Sequence, residues 1–247
     1  MSELAYHQVM GLLGWRDLHP GGREVSQRIV KAIQTQQGDR PTTILEVGAG
    51  AGGTTARLLT QGWRVHAVEP DPILNQLLPE HPDLHIHPCG LLQTDIAPES
   101  MEYAIAESVL YSLDIFEAFK YVYLSMKPGG VLIFSEQIWT REISQKKAEH
   151  IHDMTLRDFG IAMGARKPWT WKHWESALHE AGFAIKKKIH LNRKETNEPT
   201  PPRKRDLFMN SLRHPGALAA LLRYHQHIRN FSLSDSLTES ILCVAEK

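Results

Sequence analysis

Two rhythms of apolar and polar positions divide the chain. Ala5 to Trp15 mixes the two at helical spacing and runs into His19-Pro20-Gly21-Gly22, a cluster of breakers that demands a turn. Val25, Ile29 and Ile33 then recur every four residues between Gln, Arg and Lys, which predicts a helix with one apolar face, ended by Asp39-Arg40-Pro41. From Thr43 short apolar runs alternate with helical stretches. The runs Ile44 to Val47, Val65 to Glu69, Leu84 to His87, Tyr103 to Glu107 and Val131 to Ser135 predict strands of a parallel sheet covered on both faces. Thr54 to Leu59, Ile73 to Leu78 and a segment carrying Phe116, Phe119, Tyr123 and Met126 predict the intervening helices. Five such units in series imply a doubly wound α/β fold.

Beyond Ser135 the rhythm breaks. Glu142 to Leu156 reads as a polar helix, Pro168 to Trp171 as a loop, and Trp174 to Glu180 as a helix closed by Gly182. Phe183 to Leu191 and Ser240 to Ala245 read as two further strands. Between them lie a Pro-rich charged loop, Asn192 to Asp206, and a helical segment, Leu207 to Phe231, broken near Pro215-Gly216.

A length of 247 residues with 42% hydrophobic and 23% charged suits one large domain carrying an elaborated lid. Lys plus Arg equals Asp plus Glu at 28 each, so no net field draws the chain toward nucleic acid or an anionic membrane. Cys89 and Cys243 are too few for a disulfide framework and suit a reducing compartment. The first residues lack a signal-peptide pattern and no apolar run approaches the roughly 18 residues of a bilayer span, so a cytoplasmic protein without a membrane partner is expected. Fourteen histidines raise the question of a metal. His85, His87 and Cys89 alternate as ligands on one strand face would, but Pro88 interrupts them and no fourth ligand is suggested. A polar edge strand accounts for them, and no metal is expected.

The most informative stretch is Ile44-Leu45-Glu46-Val47-Gly48-Ala49-Gly50-Ala51-Gly52-Gly53, a buried strand entering glycines and then a helix. Glycines permit the tight turn and let a nucleotide-like ligand approach the backbone. Gly48, Gly50 and Gly53 also satisfy the dinucleotide pattern GxGxxG. Glu46 separates the readings: a carboxylate there would repel a pyrophosphate and suit a ligand bearing an ammonium and a sulfonium. Glu69, at the end of the second strand, can accept both hydroxyls of a ribose, which either nucleotide carries.

Glu46 to Gly52, Glu69, and the Lys127-Pro128-Gly129-Gly130 turn together resemble the ExGxGxG loop, the ribose acid and the turn before the fifth strand of class I S-adenosylmethionine-dependent methyltransferases. The likeness is firm over about residues 43 to 136. His19-Pro20-Gly21-Gly22 is similar to the entry segment of small-molecule members. The resemblance implies a Rossmann-like, mostly parallel seven-stranded sheet with an N-terminal helical cap (1–40), a methyltransferase domain (41–247), a lid insertion (about 140–182) and a helical insert (about 207–231). It implies S-adenosyl-L-methionine as cofactor, with Gly48, Ala49 and Gly50 under the methionyl part, Glu46 beside it, Glu69 on the ribose, Pro70 near the adenine and Glu107 near the amino group. Many members place an acid after the third strand for the adenine amino group. Here Cys89-Gly90-Leu91-Leu92-Gln93 stands instead, which leaves Leu91 packing and backbone groups around Gly90 for that task.

Three residues are candidates to take the acceptor's proton: Tyr111 just past the fourth strand, His19 in the entry turn and His152 in the added helix. Trp139, Trp169, Trp171 and Trp174 fall in the added segment, where a local core explains them better than an acceptor pocket. Lys186 to Arg205 holds eight basic residues against Glu195 and Glu198, the one argument for a nucleic-acid acceptor, yet no aromatic interleaves with them to stack bases. The expected activity is methyl transfer to an N, O or S atom of a small molecule. An RNA or protein acceptor, a non-catalytic cofactor-binding module and, most remotely, an oxidoreductase are the alternatives. The oligomeric state stays open.

Overall fold

The structure is a computed structural model and describes residues 4–37, 40–162, 166–191, 201–230 and 237–247. Its strands are β1 (Thr43–Val47), β2 (Arg64–Val68), β3 (Leu84–His87), β4 (Met101–Glu107), β5 (Met126–Trp139), β6 (Ala184–Leu191) and β7 (Thr238–Glu246). Its helices are α1 (Tyr6–Leu13), α2 (Gly22–Gln37), α3 (Gly53–Leu59), α4 (Pro72–Asn75), α5 (Ile115–Ser125), α6 (Gln145–Phe159), α7 (Trp171–Ala181), α8 (Lys204–Arg213) and α9 (Pro215–Asn230). The seven strands lie in the order β3-β2-β1-β4-β5-β7-β6, with β7 antiparallel to both neighbours and the rest parallel. The chain runs outward from β1 to β3 and returns to β4 on the other side of β1. The switch point therefore falls at the C-terminal ends of β1 and β4, where open α/β sheets bind ligands.

The two sheet faces carry separate cores because neighbouring side chains alternate across a strand. Ile44, Val65, Tyr103, Ile105 and Ile133 meet Val25, Ile29 and Ile33 of α2 and Leu58 of α3 on one face. Leu45, Val47, Ala104, Ala106 and Phe134 meet Phe119 of α5 and Trp174 and Leu178 of α7 on the other. Trp174 stacks on Phe134 with ring centroids 5.8 Å apart. Trp169 and Trp174 belong to this core, as a structural reading of the tryptophans expects, while Trp139 is buried with Ala148 and Ile151 of α6.

The helices outside the sheet layers are grouped differently from the sequence segments. Among the described residues before β1, α2 covers the sheet, and α1 joins α6 and α9 in a third core of Val9, Leu13, Phe159, Ala217, Ala220 and Tyr224. The 140–182 insertion is divided likewise, with α6 in this cap and α7 beneath the sheet beside α5. The break at Pro215 separates α8 from α9 as expected, with α8 beginning already at Lys204. Most of the basic loop, residues 192–200, lies outside the described residues.

Both sheet edges are polar. On β3 and its neighbour β2, the rings of His85 and His87 stack on His66 at 4.9 and 5.3 Å. Burial, followed by the neighbouring imidazoles, pushes His66 down to about 4, so its ring is uncharged at neutral pH. On β6, Lys186 pairs with Glu246 at 3.1 Å and Lys188 with Glu239 at 3.7 Å, and Lys188 also lies over the Trp171 ring. Lysines on an edge strand hinder pairing with a second sheet.

Candidate active site

The loop after β1 is held against β2 by two backbone bonds, from Gly48 N and Ala49 N to the Val68 carbonyl at 2.8 and 3.1 Å. Gly48 has φ 73°, and a Cβ there would lie within 2.8 Å of the Val109 side chain, so only glycine admits both the turn and its neighbour. Gly50 also has positive φ, 55°, but a Cβ there meets nothing within 4 Å. That side of the loop is open space, a backbone surface that a ligand can approach.

Glu69 stands one residue past the end of β2 and is 7% exposed. One oxygen accepts Gly50 N at 2.8 Å and the other Asp71 N at 2.9 Å. Burial raises its pKa, and these two amide donors work against that rise. A carboxylate has about four acceptor positions, so two remain for a ligand's hydroxyls. Asp71 in turn caps α4 and accepts Gln8 at 2.7 Å and His7 at 3.1 Å, which fastens α1 of the cap beside the loop. Pro70, between them, is exposed.

Glu46 has a different place from the one its sequence position suggests. It is 4% exposed and bonded to the Thr55 hydroxyl at 2.7 Å, which ties β1 to α3. Burial pushes its pKa up to about 8, so at neutral pH it is chiefly the uncharged acid. Its raised pKa weakens the argument that a charge here would repel a pyrophosphate. Leu91 is likewise turned into the core, at 2% exposure beside Val47 and Val68, while Leu92 of the same turn stands 45% exposed. Gly90 caps that turn, with the Gln93 side chain occupying the space a Cβ would need.

At the end of β4, Glu107 anchors a polar cluster. Its oxygens accept Thr54 at 2.6 Å and Ser26 at 3.0 Å, and His19 Nε2 lies 3.0 Å from Ser26 Oγ and 3.4 Å from Glu107. His19 Nδ1 is 3.3 Å from the Pro20 carbonyl. The entry turn and the fourth strand, 88 positions apart in the chain, thus bring together His19 and Glu107. Ser26 and Thr54 complete the cluster. Ser26 had a visible signal, a polar side chain on the apolar stripe of α2; Thr54 had none beyond following the glycines.

The other two proton-acceptor candidates lie elsewhere. Tyr111 donates its hydroxyl to the Ala162 carbonyl at 2.7 Å, and burial followed by the nearby Glu136 raises its pKa. A phenol so placed is a strut between the β4 loop and the cap and is poorly suited to take a proton. His152 is half-buried on α6. Sequence reasoning also missed Glu136, because β5 continues four residues past Ser135. Fully buried, its Oε1 accepts Val109 N at 2.8 Å and Leu110 N at 2.6 Å, and it holds the loop whose Val109 fills the space over Gly48. Ser108 within that loop has φ 53°, a strained conformation for a non-glycine residue and one that clusters at functional sites.

A Rossmann-like sheet with β7 antiparallel, an open glycine loop and an acid after β2 define the class of S-adenosylmethionine-dependent methyltransferases. The chain belongs to the methyltransferase domain family, whose pattern matches residues 16–188. Over 110 residues it is 34% identical to ribosomal RNA small subunit methyltransferase A of Pseudomonas fluorescens (strain Pf0-1), covering 41% of this chain and 39% of that protein. The chain thus spans well under half the length of this curated relative. Among solved structures, it resembles phosphoethanolamine N-methyltransferase 2 of Haemonchus contortus bound to S-adenosyl-L-methionine, with TM-score 0.64, 15% identity, 97% of this chain and 56% of that one. It also resembles geranyl diphosphate C-methyltransferase of Streptomyces coelicolor A3(2), with TM-score 0.58, 14% identity, 89% of this chain and 77% of that one. At these identities the two structures share a fold with this protein, and the family match shows that residues 16–188 form a methyltransferase domain.

The residues present fit S-adenosylmethionine: the Gly50 side of the loop is open and Glu69 has lone pairs to offer. We propose that Glu69 holds the ribose, and Glu69→Ala is then expected to weaken cofactor binding by tenfold or more, from the roughly 1–3 kcal/mol of hydrogen bonds to a charged group. Calorimetry reads this directly, and unchanged affinity would remove Glu69 from the site.

Proposed function

We propose that the protein moves the methyl group of S-adenosylmethionine to an N, O or S atom of a small molecule, and that His19 receives the acceptor's proton. The observation that carries the small-molecule reading is the cap. It is fastened at Asp71 beside the glycine loop, by His7 and Gln8, and at Tyr111 beside the β4 loop, by the Ala162 carbonyl. An acceptor reaching the ends of β1 and β4 between these ties has to be small. When bound, the cofactor supplies a methyl group made electrophilic by a positively charged sulfur, so the chain's task is to orient the acceptor and remove its proton. To take the proton His19 gives up the long 3.3 Å contact of Nδ1 with the Pro20 carbonyl, and Glu107 beside Nε2 then balances the charge of the protonated ring. Glu107 Oε2, which accepts Thr54, keeps a lone pair that can also serve the cofactor's amino group, as the family resemblance implies.

A second reading, an RNA acceptor, is favoured by the ribosomal RNA methyltransferase relatives and by a groove of about 600 Å3 lined by Arg16, Arg23 and Arg57 together with Ala51, Gly52 and Gly53 at the far end of the glycine loop. All three arginines are engaged within the protein: Arg57 in a bidentate pair with Asp17 at 2.7 Å, Arg23 with the same Asp17 at 3.8 Å, and Arg16 with the Ala51 and Leu77 carbonyls. Lys186 and Lys188 are paired with acids of β7. These internal contacts weaken the case for phosphate docking. Incubation with labelled S-adenosylmethionine and either a metabolite extract or ribosomal RNA at low ionic strength separates the readings. Label is expected in small molecules; label in RNA that declines steeply with added salt would overturn the small-molecule acceptor.

A further inference from the structure

Of the nine large apolar side chains left exposed among the described residues, five lie on α8 and α9. Phe208 and Leu212 are each 63% exposed, Leu222 is 68%, and Met209 and Leu218 are 41% and 38%. Phe208 and Leu212, like Leu218 and Leu222, are four residues apart and so share a helix face. On α9 the opposite face is already used, since Ala217, Ala220 and Tyr224 are buried in the cap core with α1 and α6. On α8 no residue is buried at all, although Leu207 packs against that core. These apolar stripes therefore face outward from the cap and are not turned toward the sheet.

Charge decides what such a surface meets. Residues 201–225 carry Arg203, Lys204, Arg205, Arg213 and Arg223, all exposed, against the single acid Asp206. A chain neutral as a whole thus concentrates positive charge around its most exposed apolar side chains. A second copy of the chain would set like charges opposite each other across a two-fold contact. RNA would satisfy the cations and gain nothing from Phe208, Leu212 and Leu222. A convex apolar stripe flanked by Lys and Arg is the form taken by helices that lie in the boundary of an anionic bilayer, which offers hydrocarbon and negative headgroups together.

We propose that the outward faces of α8 and α9 dock the protein on an anionic lipid surface. No helix among the described residues is long and apolar enough to span a membrane, so the association is interfacial. It modifies the sequence-based expectation of no membrane partner, which addressed spanning segments and net charge; five basic residues gathered on one cap escape both measures. The proposal is independent of the acceptor's identity and of methyl transfer.

The test is flotation of the full chain with vesicles of phosphatidylcholine alone and with about one third phosphatidylglycerol, at low and high salt. Binding is expected only to the anionic vesicles, strengthened roughly fivefold for each Lys or Arg at the surface and weakened by salt. The double variants Leu212→Glu with Leu222→Glu, and Arg205→Glu with Arg223→Glu, are each expected to lower vesicle binding at least tenfold and leave the melting temperature and cofactor affinity unaltered. Equal binding to both vesicle types, no binding to either, or retention by both variants would overturn the proposal. A dimer in light scattering that the leucine variant dissolves would overturn it too, by assigning the face to a second copy.

Discussion

Replacing His19 by alanine is expected to lower the rate of methyl transfer by roughly 10²- to 10⁴-fold, the usual contribution of a positioned acid–base group. Cofactor affinity should change far less, because the proposed ribose contact at Glu69 and the loop at Gly48 and Gly50 do not depend on the entry turn, and Ser26 and Thr54 still hold Glu107. The distinction lies in the arrangement around the imidazole. Ser26 bonds both the ring and Glu107, and Thr54 bonds the second Glu107 oxygen at 2.6 Å, so the carboxylate is oriented before any acceptor arrives. Ser26→Ala should give a smaller loss than His19→Ala, since Thr54 still holds Glu107. Release of S-adenosylhomocysteine with the true acceptor measures both. A His19→Ala enzyme with full turnover would show that the acceptor atom has no proton to lose or that another group takes it.

Glu136→Gln is expected to stabilise the protein at alkaline pH. Burial pushes Glu136 up to about 8 from an ordinary 4.5, with the Leu110 and Val109 amides opposing the rise. Below 4.5 the folded and unfolded chains both hold the proton; from 4.5 to 8 the unfolded chain releases it and the folded chain keeps it. Stability therefore falls as pH rises through that window and levels off above it. Glutamine retains the Oε1 acceptor for Val109 N and Leu110 N without an ionisable proton, and it replaces an Oε2 that has no hydrogen-bond partner with an amide. Allowing for the unpartnered amide at both pH values, the variant should gain about 1–3 kcal/mol at pH 8 and lose about 1–3 kcal/mol at pH 4.5, where the linkage contribution vanishes. Urea unfolding followed by tryptophan fluorescence at the two pH values reads the difference. An equal effect at both would show that Glu136 is ionised in the folded protein. Glu46, pushed up to about 8 as well, keeps part of the same alkaline decline in the variant.

Where local pattern and packing agree, the sequence reads correctly. The runs around Ile44, Val65 and Tyr103 are strands because a parallel sheet buries both of its faces and so needs nearly continuous apolar sequence. The Gly48 to Gly53 loop and Glu69 declare themselves because backbone conformation and strand ends leave local signatures. Glu46 is the instructive exception: its position in the motif is right and its charge is not, since ionisation depends on how much water surrounds the group and no motif records that. Tyr111 fails as a proton acceptor for a related reason, as its hydroxyl is spent on Ala162, a carbonyl brought to it by the fold of the cap.

The positions of the strands along the chain, the glycine turn and the acid past β2 were settled by neighbours a few residues apart, and so could be read without coordinates; the order of the strands across the sheet was not. The grouping of His19 with Ser26, Thr54 and Glu107, the uncharged state of Glu46, and the sorting of α1, α6, α8 and α9 into one cap were decided only when distant segments packed. Hydrogen-bond geometry and desolvation act across space, between residues whose separation in sequence carries no trace of their contact.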